Sequence, residues 1–559
     1  MNSQDPHLPE QAGQARSGAS SRTMGSSGGR YAALVAAGIL LSRIAGLIRE
    51  RVFSHYFGLS DAGDAFKAAF RIPNYLQNLF GEGVLSASFI PVYARLLAEG
   101  DEREAGRVAG AVFSLLALLV SLLVVGGVLL TPWLVDLIAP GFEGAKRDLL
   151  VRLVKIIFPG TGMLVLSAWC LGVLNSHRRF FLSYAAPLAW NAVMIAALAG
   201  FGARLEGIRI TETLRLEQGR LAEAVAWASV AGSALQFLVQ LPTVLRLARG
   251  LKLWLGKNSA HVRQVVVNFL PVFIGRGVVQ ISAYIDNLLA SFLSTGAVTA
   301  LFNAQTLYLL PVSLFGMSVS AAELPLMSGT TGETAAVHEQ LRLRLDSGLR
   351  RIAFFVVPSM VAFLALGDIV VAVIYQTGRF GATDTTFVWV VLAGASLGLL
   401  ATTMGRLYSS TFYALRDTRT PLRFAIVRVA TAATLGYLAA FHLTGLLGLE
   451  RRWGVVGITT AAGLAGWVEF TLLRRALHRR IGKTGRWAQV LARMWLAAIL
   501  AGALAWALRL ATTRDRSLLV GLAILGIYGA AYFAFTMALR VPEGRWLLER
   551  AGRIRRRAR

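Results

Sequence analysis

Eight charged side chains lie within two strongly apolar segments between residues 42 and 91 of this 559-residue chain. They are Arg43, Arg49, Glu50, Arg51, Asp64, Lys67, Arg71 and Glu82. An ionised side chain at bilayer depth costs about 2.5–3.5 kcal/mol on insertion scales, so eight such groups are not expected to face acyl chains. Five of the eight are positive and three are negative. The pattern therefore predicts a water-filled or ligand-filled cavity with net positive charge, which suits an anionic cargo.

The second apolar segment carries polar residues at steps of three and four positions, which would place them along one face of a helix. They are Asp64, Lys67, Arg71, Asn74, Asn78 and Glu82. In the first segment, Arg43 and Arg49 lie deep in the apolar stretch, and guanidinium groups bind phosphate in a bidentate manner. These residues are candidates for binding a diphosphate. A structural alternative stays open, in which the charged face is an ion-pair ladder that holds the first two helices together.

The composition is that of a membrane protein, with 55% hydrophobic residues and a mean hydropathy of +0.58. Apolar stretches of spanning length recur, and because backbone polar groups in hydrocarbon need internal partners, these stretches are predicted to be helices. We predict fourteen, at about 31–57, 62–96, 108–138, 148–176, 183–203, 224–247, 262–294, 297–328, 346–376, 384–414, 420–446, 453–478, 490–511 and 517–539. The predicted fold is an all-α polytopic bundle.

The net charge of +27 is concentrated in the loops on one side of this predicted topology. Two basic runs belong to that side, RRALHRRIGKTGR at 474–486 and RIRRRAR at 553–559. By the positive-inside rule both termini are predicted to be cytoplasmic, and the basic ends favour contact with anionic lipid headgroups. A nucleic-acid partner is not expected, because that would need a soluble basic domain.

The chain divides into five predicted regions. Residues 1–30, rich in Ser and Gly, are expected to be a disordered cytoplasmic tail. Residues 31–250 hold the first six helices, 251–485 the second six, 486–540 a final pair, and 541–559 a basic cytoplasmic tail. Pro73 and Pro311 occupy comparable positions in the two halves, and matching proline-broken helices are typical of transporters whose site lies between repeats.

Several motifs resemble one known family. The runs SRIAGLIRERVFSHYFG at 42–58 and DAFKAAFRIPNYLQNLFGEGVLSASFIPVYARL at 64–96 are similar to the signature of the MurJ (MviN) lipid II flippases of the MOP superfamily. Further matches are APGF at 139–142, LLASFLSTGAV at 288–298, YQTGRFGATD at 375–384 and YALRDTRTPLRFA at 413–425. They occur in the family's order over about 35–480.

The resemblance implies two six-helix lobes in a V, with the last two helices forming a groove for a lipid tail. It implies a monomeric carrier, not an enzyme, that moves undecaprenyl-pyrophosphate-linked peptidoglycan precursor across the bacterial cytoplasmic membrane by alternating access. The family's cavity positions match Arg43, Arg49, Asp64 and Glu82, and Glu50 stands where the family usually has another acid. In the second lobe, Arg379 falls at a basic position.

The chain departs from the family pattern at three positions that usually carry positive charge. Gln77 and Asn78 stand where many members have a basic pair, and Thr306 stands where an arginine is usual. Arg276 shares a predicted helix face with Gln280 and Asn287 and is expected to restore positive charge in the second half of the cavity.

A further departure concerns ions, because some members of the family bind sodium through an aspartate in the seventh helix. Asp286 fits that position, but the eleventh helix offers Arg428 and no carboxylate or amide. One carboxylate is a poor ligand set for a hard cation. We therefore expect Arg428 to pair with Asp286 in place of the ion, with the alternative that Arg428 reaches toward the cytoplasm. No cofactor is predicted, and coupling to membrane potential or a monovalent cation stays open.

Other functions have to be weighed against lipid II flipping. One is the transport of another polyprenyl-diphosphate-linked glycan, or altered cargo in a divergent paralogue. A MATE-like cation-coupled drug exporter would be expected to have an acidic cavity. A membrane enzyme would be expected to show clustered carboxylates, metal-spaced His or Cys, or a Gly-rich phosphate loop, and the sequence shows none of these patterns. A non-transporting scaffold also stays open.

Overall fold

The computed structural model describes residues 38, 40–205, 208, 211–256, 259–329, 334–484, 487–512 and 518–545. Within these ranges the chain is almost entirely helical and holds no β-strand beyond an isolated bridge between Thr377 and Phe380. Ten described helices are long and apolar enough to cross a membrane, or eleven if one bent pair counts as a span. The predicted all-α polytopic membrane fold is confirmed, whereas the number fourteen stays a prediction. The predicted tails at 1–30 and 546–559 lie outside the described residues.

The helices of the first half are α1 (40–57), α2 (Asp61–Ala69), α3 (Arg71–Phe80), α4 (Glu82–Ser88), α5 (Ile90–Ala98), α6 (Glu102–Leu129), α7 (Thr131–Ile138), α8 (Gly144–Ser176), α9 (Phe180–Ala185), α10 (Pro187–Gly202) and α11 (Thr211–Leu247). Those of the second half are α12 (Ala260–Ser291), α13 (Ala297–Pro311), α14 (Ser318–Ser328), α15 (Thr334–Ala365), α16 (Gly367–Tyr375), α17 (Ala382–Ser396), α18 (Leu399–Ala414), α19 (Arg419–Tyr437), α20 (Thr444–Leu446) and α21 (Gly454–Ile481). The final pair is α22 (Ala488–Ala511) and α23 (Leu518–Ala538).

The predicted second span, 62–96, is four short helices and not one. The breaks fall at Phe70, Gly81 and Phe89. Pro73 and Pro91 lie in the first turns of α3 and α5. A proline has no backbone N–H to donate to the preceding turn, so it is tolerated at the start of a helix but interrupts a continuous one. The prediction of one continuous helix over 62–96 is therefore wrong, because the helix breaks at these three residues.

Each half packs around one central helix. In the first half α8 contacts α2, α3, α6 and α11, and α10 packs on α11. In the second half α21 contacts α17, α18 and α19, and α15 packs on α18. The final pair joins the second half, because α22 packs on α15 and α23 packs on α16.

Helix α12 belongs to both lobes. Val262, Val265, Phe269 and Phe273 from its first half pack into the apolar core of the first lobe. The helix also contacts α19 and α21 of the second lobe. The division that the sequence predicts at residue 250 therefore does not separate the packing of the two lobes, because α12 packs against both.

Candidate functional site

A cavity of about 260 Å³ lies where α1, α2 and α3 meet α10, α11 and α13. We call it the charged cavity, and its polar lining consists of Arg49, Glu50, Lys67, Asn74, Gln77, Asn191 and Gln236. Aromatic rings form much of the remaining wall, among them Trp190 and Phe302. The cavity touches both lobes, since Phe302 comes from α13 and the other polar and aromatic residues named here come from the first lobe.

Glu50 is the centre of the charged cavity and is only 3% exposed. Its Oε1 accepts a hydrogen bond from Arg49 Nη2 at 2.6 Å, and its Oε2 accepts one from Lys67 Nζ. Arg49 Nη1 also donates to Asn191 Oδ1 at 3.1 Å. Two cations therefore share one carboxylate, which leaves one net positive charge beside open space.

Aromatic faces take the place of further carboxylates around the two cations. The guanidinium carbon of Arg49 lies 4.7 Å from the centre of the Trp190 ring. Lys67 Nζ lies 4.2 Å from the Phe53 ring and 4.3 Å from the Phe302 ring. The electron-rich faces attract the cations without neutralising them, so their positive charge is still available to an anion.

Arg43 lines an adjoining cavity of about 250 Å³. This second cavity shares Arg49, Glu50, Asn191 and Phe302 with the charged cavity, so the two are neighbours. Arg43 is exposed and makes no ion pair within 4 Å with another described residue. The structure therefore brings Arg43 and Arg49 to one continuous space, as the sequence predicted.

Arg71 lies just beyond the charged cavity and connects the lobes. Its Nη2 donates to Gln305 Oε1 of α13 at 2.8 Å, and its guanidinium carbon lies 5.4 Å from the Phe302 ring. In this conformation Arg71 holds α3 against α13 and does not line the cavity, contrary to its predicted place in a substrate site.

Asp64, also predicted to bind substrate, lies away from the cavity and is completely buried. Its Oδ1 accepts hydrogen bonds from the backbone N–H and the hydroxyl of Thr299, at 2.8 and 2.7 Å. Its Oδ2 accepts from the N–H of Gly296 and from Lys146 Nζ, both at 2.7 Å. The carboxylate thus occupies the amino-terminal end of α13, where unpaired N–H groups favour an anion, and it joins the two lobes.

Arg379 also forms an interlobe contact and does not line the cavity. Its Nη2 donates to the carbonyl of Leu205 at 2.8 Å, and its backbone N–H donates to the carbonyl of His55 at 2.9 Å. Gly58 and Gly378 both have positive φ, +54° and +55°, and approach these backbones closely. Leu59 follows Gly58, which touches Arg379, and it lies against Gly296, which donates to Asp64. The contacts of Asp64 and Arg379 are therefore neighbours. We call the two sets together the seal.

Arg428 has a different partner from the one predicted. Its Nε lies 3.0 Å from Glu469 Oε2 on α21, in an ion pair whose angle is not that of a hydrogen bond. Asp286 forms no hydrogen bond and no ion pair within 4 Å with another described residue. The expected Asp286–Arg428 pair is therefore not formed, because α19 packs along α21 and brings Glu469 closer.

The other predicted site residues have separate positions. Asn74 lines the charged cavity, whereas Asn78 lines a third cavity of about 580 Å³. Thr306 lines the second cavity and donates to the carbonyl of Phe302. Glu82 begins α4 and Arg276 lies in α12, but their side chains lie outside the described part of the structure.

Several residues of the site were not predicted. Trp190 and Asn191 line the charged cavity, Lys146 binds Asp64, and Gln236 and Gln240 line the third cavity. Polar residues within apolar helices were the available signal for Asn191 and for the two glutamines, which are four positions apart on α11. Lys146 gave no signal, because a lysine at the start of a span is ordinary.

Comparisons with known proteins agree with this geometry. The family described as "Lipid II flippase MurJ" matches residues 53–525. The chain is 32% identical over 458 residues to a probable lipid II flippase MurJ of Rhizobium tropici, covering 80% of each protein. It is 28% identical over 527 residues to the Vibrio cholerae counterpart, covering 91% of this chain and 95% of that one.

Solved structures share the fold. A lipid II flippase MurJ in an inward closed conformation superimposes with a TM-score of 0.71 at 23% identity, covering 91% of this chain and 99% of the other. An inward-facing multidrug resistance transporter of the MATE family gives 0.61 at 16% identity, covering 78% of this chain and 95% of the other. Both likenesses concern the fold alone.

Proposed function

This chain belongs to the lipid II flippase MurJ family, and we propose that it moves a lipid-linked peptidoglycan precursor across the bacterial cytoplasmic membrane. The family consists of transporters and not of enzymes. The proposed cargo is lipid II, whose diphosphate joins a polyprenyl tail to a glycan. The chemistry asked of the protein is therefore recognition of a diphosphate and its movement through a polar path.

The observation that carries the proposal is the sharing of Glu50 by Arg49 and Lys67 at the wall of an interlobe cavity. The net positive charge there suits an anion, and Arg43 adds a second guanidinium in the adjoining space. Guanidinium groups offer paired donors to phosphate oxygens, and a site with low solvent content strengthens these bonds.

The seal supports a mechanism of alternating access. It joins the lobes where α1 ends and α13 begins, and the cavities lie on one side of it. If the amino terminus is cytoplasmic, as the distribution of basic residues indicates, the seal closes the outer face. The cargo would then enter from the inner leaflet, and opening of the seal would release it outward.

The sign of the cavity charge argues against a drug exporter of the MATE type. An acidic cavity would be expected for cationic drugs, whereas two cations and one carboxylate line this one. We propose that energy comes from the membrane potential acting on the cavity charge, since about 2.3 kcal/mol is available per elementary charge at 100 mV.

Complementation tests the proposal directly. A bacterium is depleted of its own lipid II flippase and supplied with this chain or with Arg43→Ala or Arg49→Ala. We expect the unaltered chain to restore growth and lipid II translocation, and each variant to lose most of both. Arg152→Ala is the matched control, because Arg152 is exposed and pairs with Glu223 away from the cavity. Full rescue by both cavity variants at equal expression would contradict the proposed site.

A further inference from the structure

The third cavity differs from the charged cavity in its chemistry. It holds about 580 Å³ and is lined by α3, α4, α8, α9, α10 and α11. None of the described residues that line it is charged, and its polar groups are amides and hydroxyls. We call it the amide chamber and define it by Gln77, Asn78, Ser167, Gln236 and Gln240.

The amide chamber opens directly beside the charged cavity. Gln77, Leu164, Pro187 and Gln236 line both spaces. Along the broken second segment, Lys67 lines only the charged cavity, Gln77 lines both, and Asn78 lines only the chamber. A cargo whose diphosphate lies between Arg49 and Lys67 therefore has a neutral polar space next to that diphosphate.

The chamber wall is organised by a buried hydrogen-bond network. Gln240 Nε2 donates to Ser167 Oγ at 2.7 Å, and Gln236 Nε2 donates to the same oxygen at 3.1 Å. Gln240 is only 1% exposed, and its Oε1 has no hydrogen-bond partner among the described residues. Burying an amide oxygen without a hydrogen bond costs free energy. The Gln240 oxygen is therefore a candidate acceptor for a hydrogen bond from a ligand.

The opposite wall leaves hydrogen-bonding groups available. The side-chain amides of Gln77 and Asn78 line the chamber and form no hydrogen bond with other described residues, and Asn78 is exposed. Each amide offers both donors and acceptors, which matches hydroxyl and acetamido groups better than it matches phosphate. Uncharged walls avoid the non-selective attraction that further arginines would exert on the diphosphate.

We propose that the amide chamber is a subsite for the uncharged sugar portion of a lipid-linked diphosphate, with Gln77, Asn78, Ser167 and Gln240 determining its selectivity. The inference rests on the proposed function, because it takes the diphosphate to lie in the charged cavity. The volume lies within the range of about 300–1,000 Å³ typical of small-molecule sites. The charged cavity thus binds the diphosphate that all such cargoes share, and the chamber binds the sugars that distinguish one cargo from another.

Binding to the purified full-length chain in lipid nanodiscs tests the subsite. Two probes are compared, undecaprenyl diphosphate and the same lipid diphosphate carrying a disaccharide without a peptide. The unaltered chain should bind the disaccharide probe at least about tenfold more tightly than the bare diphosphate, which corresponds to about 1.4 kcal/mol.

Two variants remove the chamber groups in different ways. Ser167→Ala/Gln240→Leu alters the buried wall, and Asn78→Leu alters the more accessible wall without touching the charged cavity. Both should reduce the preference for the disaccharide probe to near onefold and change the affinity for bare diphosphate less than about twofold. Gln264→Leu, on the exposed face of α12, and Ser233→Ala, buried in α11, are the controls and should keep the preference.

The outcomes separate the two proposals. Equal binding of both probes by the unaltered chain, or a preference that survives both chamber variants, overturns the sugar subsite and leaves the diphosphate site intact. Binding of neither probe overturns the proposed function, and the subsite with it. Loss of both affinities in Arg49→Ala/Lys67→Met, with loss only of the preference in the chamber variants, supports both.

Discussion

Replacing Asp64 by asparagine changes the charge that joins the two lobes at the seal and preserves the size of the side chain. In the structure, Oδ1 is used by the N–H and hydroxyl of Thr299, and Oδ2 by the N–H of Gly296 and by Lys146. The asparagine side chain keeps one oxygen that accepts hydrogen bonds. Its amide NH2 group replaces the other oxygen and faces the N–H of Gly296 and the ammonium of Lys146, which are donors themselves. Asparagine can keep the bonds to Thr299 but not those to Gly296 and Lys146.

The size of the effect follows from those two lost bonds. Hydrogen bonds to a charged group contribute about 1.5–3 kcal/mol each, and Lys146 keeps part of its stabilisation through Asp61, 3.0 Å away. We therefore expect the sealed conformation to lose about 2–4 kcal/mol relative to the open one. That range corresponds to a rise of roughly 30- to 700-fold in the ratio of open to sealed molecules.

Pulsed EPR between spin labels at Glu143→Cys and Ser294→Cys measures this ratio. Both positions are exposed and lie on opposite lobes next to the seal, and the single native cysteine, Cys170, is fully buried. Asp64→Asn should add a population at longer distance. Asp61→Asn is the matched control, because its carboxylate contacts the same lysine but is 37% exposed, and the asparagine oxygen can still accept the hydrogen bond from the Thr295 hydroxyl, so the distances should change little. Unchanged distances in Asp64→Asn, or equal changes in both variants, would refute the argument.

Three further predictions follow from other contacts. Glu50→Gln should destabilise the protein by about 3–5 kcal/mol, because it leaves the buried Lys67 and the half-buried Arg49 without their shared carboxylate. Adding Lys67→Met should recover more than about 1 kcal/mol in a double-mutant cycle by denaturant titration, and strict additivity would contradict the pairing. In the turn before α19, hydrogen bonds from the backbone N–H and hydroxyl of Thr420, together with the charge of Arg480, lower the pKa of Asp417. The Asp417 carboxylate therefore stabilises the fold at pH values above its ordinary pKa of about 3.9. This stabilisation is lost as the pH falls through the lower pKa of the folded state. The melting temperatures of Asp417→Asn and the unaltered chain should therefore differ at pH 7 and converge in acid, and a difference independent of pH would count against it. An inside-negative potential of 100 mV should change the flipping rate in reconstituted vesicles, and Lys67→Met should weaken that response; equal rates with and without the potential would exclude the proposed coupling.

The sequence predicted the class of fold and the position of the positive site because both depend on simple physical costs. Arginines in apolar segments have few stable environments in a membrane, so Arg43 and Arg49 had to meet a polar space. The same reasoning predicted which segments are helical.

Helical periodicity predicted a shared face but not the neighbours that each residue on it meets. Asp64 lies at the seal, Lys67 and Asn74 line the charged cavity, and Asn78 lines the amide chamber, because successive positions along the face meet different helices. The breaks at Phe70 and Gly81 were not predicted either. A Cβ at Gly81 would lie 2.1 Å from the carbonyl oxygen of Gln77, so the break there requires glycine.

Ion pairing between distant segments was equally inaccessible from the sequence. Arg428 had Asp286 and Glu469 as possible partners, and only the packing of α19 on α21 decides between them. The partners of Asp64 come from α8 and α13, more than eighty residues further along the chain.

The two glycines at the seal have a consequence for leakage. A Cβ on Gly378 would lie 2.5 Å from the carbonyl oxygen of His55, and one on Gly58 would lie 2.9 Å from that of Arg379. Here the two backbones are in direct contact, and a side chain larger than that of glycine at either position would push them apart. A carrier in a membrane that stores energy as a proton gradient needs such a tight contact, and we expect larger side chains at these two positions to let protons leak through the closed carrier.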